Sequence, residues 1–149
     1  MVKNIKFLIV LLISVLLTSC SLNTKNDGVN NNDWYYTLKN QYRISHINSR
    51  EIVCDKMNDE YSSKIVVGKY VVKFHYDSNY VYLQYLDEYV DDSSSIGIDD
   101  FKYATVNFNT DEVLLFESYG DFLTRFSDEN LPELSEWINT KPRPENAKF

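Results

Sequence analysis

The chain is poor in the residues that catalysis and covalent cross-linking draw on. Its 149 residues include two histidines, two cysteines, four glycines and three prolines. His46, His75, Cys20 and Cys54 show none of the paired spacings that hold zinc, and there is neither a glycine-rich phosphate loop nor a GxSxG nucleophile elbow. Basic charge is also short, with 15 Lys and Arg against 22 Asp and Glu. Nucleic-acid binding is therefore disfavoured, because phosphate contacts demand basic patches. The apolar run Phe7 to Leu17, broken by Ser14, falls well short of the roughly 20 residues that a membrane-crossing helix needs.

What is present begins at the N-terminus. Lys3 and Lys6 form a positive n-region ahead of the apolar run, the arrangement of a secretory signal peptide. Leu17-Thr18-Ser19-Cys20 then resembles the lipobox of bacterial lipoproteins, where small residues precede an obligatory cysteine. That resemblance covers Met1 to Cys20. It implies that Cys20 receives a diacylglyceryl group, that residues 1–19 are removed, and that the new amine is acylated. Two or more acyl chains hold stably to a membrane at ~0.8 kcal/mol per buried methylene. Ser21 is compatible with outer-membrane sorting and with a single-membrane cell alike.

Residues 20–33 form the expected lipidated, flexible tether, since Ser21 to Asp33 offers only Leu22 and Val29 as large apolar residues. The mature chain, Cys20 to Phe149, is long enough for one core. Loss of Lys3 and Lys6 leaves it 13 basic against 22 acidic side chains, a balance of −9. With Cys20 held by lipid, Cys54 has no intrachain partner, so no stabilising disulfide forms. Cys54 reads either as a buried structural thiol beside Ile52 or as a nucleophile.

The remaining pattern is dominated by 12 tyrosines and eight phenylalanines in runs separated by turn signals. Strands are expected at Gln41 to Ile47 and Glu51 to Lys56, joined by Asn48-Ser49-Arg50. Lys64 to Tyr76 is a longer run in which Gly68 marks a bulge, bend or break. Asp77-Ser78-Asn79 turns it into Tyr80 to Leu86. Lys102 to Phe108 and Glu112 to Glu117 form a last hairpin around Asn109-Thr110-Asp111. Alternation places Tyr70, Val72, Phe74 and Tyr76 on one face and Val71, Lys73 and His75 on the other, implying one clearly buried side.

The period then becomes helical. Ser118 and Asp121 suggest a capping box before Tyr119, Phe122, Leu123 and Phe126. A second short helix is expected from Pro132, turning Leu134, Trp137 and Ile138 inward. Residues 140–149 read as an extended tail containing Pro142 and Pro144. The expected fold is α+β: an antiparallel meander of about six strands, open or curled toward a barrel, with one or two short C-terminal helices, over residues 34–139. Tyr42 to Val53, Val71 to Tyr85 and Tyr103 to Phe126 are similar to small lipoprotein domains without an assigned activity. That resemblance implies a fold and carries no catalytic residues.

Candidate chemistry is sparse. His46 and His75 with Cys54 would in principle make a Cys–His dyad, though satisfied structural histidines account for them. The loop Asp87 to Asp100 concentrates six carboxylates, and Asp91, Asp92, Asp99 and Asp100 are its candidate calcium ligands, although the spacing is not that of an EF-hand. Tyr76, Tyr80, Tyr82, Tyr85 and Tyr89 form a candidate recognition patch for a protein partner. No cofactor and no nucleic acid are expected. The leading expectation is a lipid-anchored envelope protein, non-enzymatic, that binds a macromolecular partner in the manner of inhibitor or immunity proteins, an analogy of size, acidity and anchoring. The alternatives are a small envelope hydrolase, or a solute- or cation-binding lipoprotein favoured by a pocket lined with tyrosines or with the 91–100 loop.

Overall fold

A computed structural model describes residues 33–59, 62–127 and 129–149. The expected signal peptide, Cys20 and the expected tether up to Asn32 lie outside the described residues. Among those described, nine strands form two antiparallel sheets, with little helix. The first sheet has the order β1-β2-β3-β4, from Trp34–Thr37, Tyr42–Asn48, Glu51–Met57 and Ser63–Val67. The second has the order β8-β7-β6-β5-β9, where β5 is Tyr70–Tyr76, β6 Tyr80–Leu86, β7 Lys102–Asn107, β8 Val113–Phe116 and β9 Ile138–Asn139. A short α-helix, α1, spans Tyr119–Arg125.

The two sheets face each other across one apolar cluster. Tyr36, Ile44, Ile52 and Cys54 from the first meet Val71, Phe74, Val81, Leu83 and Val106 from the second. The Tyr36 ring meets Phe74 edge-on at 5.0 Å. Behind the second sheet lies a separate cluster of Tyr82, Tyr103, Phe122, Phe126 and Trp137. The second sheet is thus apolar on both faces, and six of the seven residues of β6 are buried. The expectation of a sheet with one buried side is corrected accordingly.

Three further expectations change. The strands number nine instead of about six, because the Lys64 to Tyr76 run breaks at Gly68 and crosses between sheets, and because β1 and β9 are added. A Cβ on Gly68 would come 3.0 Å from Ile65 Cγ2, which favours glycine at this crossing. The second helix is a single 3₁₀ turn at Leu134–Glu136. The faces of β5 differ from strict alternation because the register slips between Val71 and Lys73. That bulge turns Val71 toward the same core as Phe74.

The bulge and the C-terminal segment belong together. Thr140 is buried, and its amide donates to Val72 O at 3.0 Å while its hydroxyl donates to Val71 O at 2.8 Å. These bonds satisfy carbonyls that an irregular ladder would leave exposed to apolar surroundings. The segment read as an extended tail is tied back on the fold, since Lys148 exchanges two backbone hydrogen bonds with Tyr35 at 2.8 and 2.9 Å. This contact occupies an edge of the first sheet that would otherwise present unpaired backbone groups.

Local chemistry explains the other ends. Ser118 Oγ caps the helix start by accepting from the Asp121 backbone amide at 3.1 Å, and its hydroxyl donates to the Asp121 carboxylate at 2.7 Å, where the expected capping box would have that carboxylate reach the Ser118 amide. Phe122 and Phe126 turn inward, while Leu123 is 41% exposed. The β1–β2 turn closes with Tyr42 N donating to Lys39 O at 2.9 Å, and both central residues, Asn40 and Gln41, have positive φ, at 49° and 69°. Two-residue hairpins favour such primed turns, which suit asparagine and glycine far better than glutamine. Gln41, expected to begin a strand, is therefore a turn residue held in the left-handed region. Gln41→Gly is expected to raise stability by about 0.5–1 kcal/mol, since the left-handed penalty outweighs the added chain entropy. Thermal unfolding checks this; a lowered midpoint would mean that the glutamine side chain itself stabilises the turn.

Candidate functional site

The five candidate tyrosines are not brought together. Tyr82 is fully buried and Tyr85 is 4% exposed. Tyr76, Tyr85 and Tyr89 pack on the cluster between the sheets, whereas Tyr80 and Tyr82 pack on the cluster behind the second sheet. The expected recognition patch is thus divided between two cores. Tyr82 meets Phe122 at 6.1 Å and Phe126 at 5.5 Å, both edge-on, and Tyr76 shares a hydroxyl contact of 3.2 Å with Tyr36. Successive residues of β6 point to opposite faces, and both faces are covered.

Asp77 organises the β5–β6 turn beneath these rings. Its carboxylate accepts from the amides of Asn79 at 2.6 Å and Tyr80 at 2.8 Å, and from the Tyr82 hydroxyl at 2.8 Å. Burial pushes the Asp77 pKa up, but these donors and the nearby His75 outweigh it and hold the group below its ordinary value. Burial, followed by the bond to Asp77, drives the Tyr82 phenol up. A carboxylate with a depressed pKa stabilises the fold above its unfolded pKa, and that contribution is lost as pH falls through the folded value. Asp77→Ala is expected to destabilise the protein by about 1–2 kcal/mol at neutral pH, with the penalty shrinking below pH ~4. Denaturant unfolding at several pH values checks this; a penalty independent of pH would contradict the charged-acceptor account.

The catalytic candidates are set in different surroundings. Cys54 lies in the core at 0% exposure, and burial raises its thiol pKa strongly, so the unreactive protonated form is favoured. His75 sits on the other side of the second sheet, with its ring stacked 5.9 Å from Tyr82 and tilted against Trp137 at 6.3 Å. Burial lowers its pKa, with Asp77 and Glu136 acting against that. The second sheet therefore separates His75 from Cys54. His46 stacks on Trp34 at 5.6 Å.

The acidic loop is shaped by its own hydrogen bonds. Asp92 caps a 3₁₀ turn at Ser93–Ser95, accepting from the Ser94 hydroxyl at 2.7 Å and amide at 2.9 Å, and the hydroxyl and amide in that order hold its pKa down. Asp100 accepts from the Gly97 amide at 2.7 Å across the next turn, Ile98–Asp100. Asp91 and Asp99 are exposed. Among the described residues, no three His, Cys, Asp or Glu side chains converge on a point that could hold a metal ion. The four aspartates are therefore not gathered into a calcium shell.

Two clefts open at this end of the sandwich. One, of about 470 Å³, lies where the chain crosses between sheets and is lined by residues that include Arg50, Glu51, Tyr70, Glu88, Tyr89 and Asp91. A second, of about 330 Å³, is lined by Ile96, Asp99, Asp100 and Lys102 and shares Asp87 and Glu88 with the first. Asp87 holds Lys102 at 2.9 Å and Lys69 at 3.4 Å, and those lysines draw its pKa down. Tyr70 and Tyr89 meet edge-on at 5.1 Å, with the Lys141 ammonium 5.2 and 4.9 Å from their ring centres. The Tyr70 hydroxyl is buried with no hydrogen-bond partner among the described residues. A buried polar group left in that state costs about 1–3 kcal/mol.

Sequence reasoning named Tyr89 and Asp91 but missed Tyr70, Glu51 and Arg50. No signal marked these three, because the cleft is formed by strand ends from both sheets. No protein-family model, no curated protein and no solved structure matches the chain. Among the described residues, no helix is long and apolar enough to cross a membrane.

Proposed function

We propose that the protein is a membrane-anchored envelope lipoprotein, held by lipid on Cys20, whose domain acts without catalysis by binding a macromolecular partner. The observation that carries this reading is the pair of clefts beside the exposed acidic loop, a concave surface of mixed charge walled by Tyr70 and Tyr89. Recognition surfaces combine aromatic area with charge that selects the partner and speeds encounter. Size, acidity and anchoring accord with inhibitor- or immunity-type proteins, which cap an enzyme or toxin at the envelope. A second reading, capture of a small solute, draws on the same preformed cleft, whose volume of about 470 Å³ falls in the range of ligand pockets. A hydrolase reading draws less support, with Cys54 in the core and His75 beyond the second sheet.

Two outcomes are expected. Cys20→Ala should abolish incorporation of labelled palmitate and release the protein from the membrane fraction; continued labelling would sink the anchor. Affinity capture from host membranes with the full chain should retain a partner that a Glu88→Gln, Asp91→Asn, Asp99→Asn variant loses while its melting temperature is unchanged. Equal capture by both proteins would remove the acidic surface from the interaction.

A further inference from the structure

The larger cleft has the chemistry of a pocket for one organic cation. Tyr70 and Tyr89 form its aromatic wall, and these two rings attract a cation elsewhere on their surface, where the Lys141 ammonium, which does not line the cleft, lies 5.2 and 4.9 Å from their centres. Ring faces attract cations electrostatically, most strongly where water is excluded. Charge in the cleft points the same way. Asp87 is already matched by Lys69 and Lys102. Among the described residues, Glu51, Glu88 and Asp91 make no ion pair, and the basic residues lining the cleft are Arg50 and Lys69, of which Lys69 pairs with Asp87. The lining thus carries four carboxylates, Glu51, Asp87, Glu88 and Asp91, against the two cations Arg50 and Lys69, an excess of negative charge on its exposed rim.

An independent observation points to a ligand with hydrogen-bonding groups. Tyr70, a wall residue, is 7% exposed, and its hydroxyl is buried without a hydrogen-bond partner among the described residues. Native structures satisfy nearly all such groups, so each exception calls for an explanation, an ordered water or a ligand among them. A hard metal ion fits poorly, because it needs several converging oxygens and no such group of acidic side chains is found among the described residues. A guanidinium fits better. It is planar, stacks on tyrosine, and spreads five donors that can reach separated carboxylates and a hydroxyl.

We propose that this cleft is a recognition pocket for an arginine side chain of the partner, seated against Tyr70 and Tyr89 and held by Glu51, Glu88 and Asp91. This rests on the partner-binding reading above and names the chemistry of its anchor. The probe is arginine blocked at both ends, Nα-acetyl-arginine-N-methylamide, compared with the equally blocked citrulline, which has the same shape and no charge. Both are titrated against the full chain in detergent while the tyrosine ring resonances are followed by NMR. The expected result is saturable, salt-sensitive binding of the arginine probe in the millimolar range, and citrulline weaker by about tenfold. Glu88→Gln with Asp91→Asn should weaken the arginine probe by about threefold or more, and Tyr70→Phe should weaken it without lowering the melting temperature.

Equal binding of arginine and citrulline, no saturable binding, or indifference to the Glu88 and Asp91 changes would each overturn the pocket. The two readings fail separately. A partner that is captured by the full chain and not displaced by blocked arginine keeps the binding function and removes this pocket from it. Arginine binding with no captured partner keeps the pocket and turns the reading toward solute capture.

Discussion

The rest of the structure depends on burying the second sheet on both faces. Its central strand β6 has Val81, Leu83 and Tyr85 turned toward the first sheet and Tyr82 turned toward the helix. Neither side can face water without exposing large apolar area, at about 25 cal/mol for each Å². One face is covered by a four-stranded sheet, and the other by a short helix and the segment that carries Trp137. The helix itself is brief because its task is to seat Phe122 and Phe126 on Tyr82 and Tyr103. Isolated helices of this length are unstable, so packing rather than propensity holds it.

Polar groups inside such a layered core must be paired, and the pairings tie the layers together. Asp55 is buried on the first sheet, where Ser45 Oγ donates at 2.8 Å and Arg43 supplies the opposite charge. Asp111 accepts from the Tyr42 hydroxyl at 2.7 Å and from the Lys56 ammonium at 2.6 Å, joining the β7–β8 turn to the first sheet. Lys56, then Tyr42, draw the Asp111 pKa down. Thr140 does similar work at the β5 bulge. Against this background the buried Tyr70 hydroxyl, without a partner among the described residues, stands out, and Tyr70 itself lines the cleft where the chain passes from one sheet to the other. The charged loops meet at that end, so a cleft there can vary in chemistry without disturbing the core.

Much of the local structure was legible. The hairpins around Ser49-Arg50, Ser78 and Thr110 emerged with boundaries within a residue or two, because turn residues flank runs of β-branched and aromatic side chains. The cap at Ser118 was also readable. Strand β1 was missed because Lys39-Asn40-Gln41 lacks the Asn-Gly signature of the turn it makes, and β9 because two residues carry no period. The face assignment on β5 failed at a bulge, which adds a residue without changing composition. The tyrosine patch failed for a related reason: alternation tells which residues share a face, not whether that face is covered.

The sequence by itself determined the acidity, the antiparallel hairpins and the scarcity of histidine and cysteine, and it carries the lipobox resemblance on which the anchor is proposed. These are local or compositional properties, set by side chains within a few positions of one another. Only the tertiary structure decided that there are two sheets, that Tyr82 and Tyr85 belong to cores, that the acidic loop holds no converged metal shell among the described residues, and that Tyr70, Tyr89 and Lys141 meet beside an acidic cleft. Those outcomes rest on which surfaces find cover and which distant strand ends come together, and burial is a property of the assembled layers that no stretch of chain carries alone.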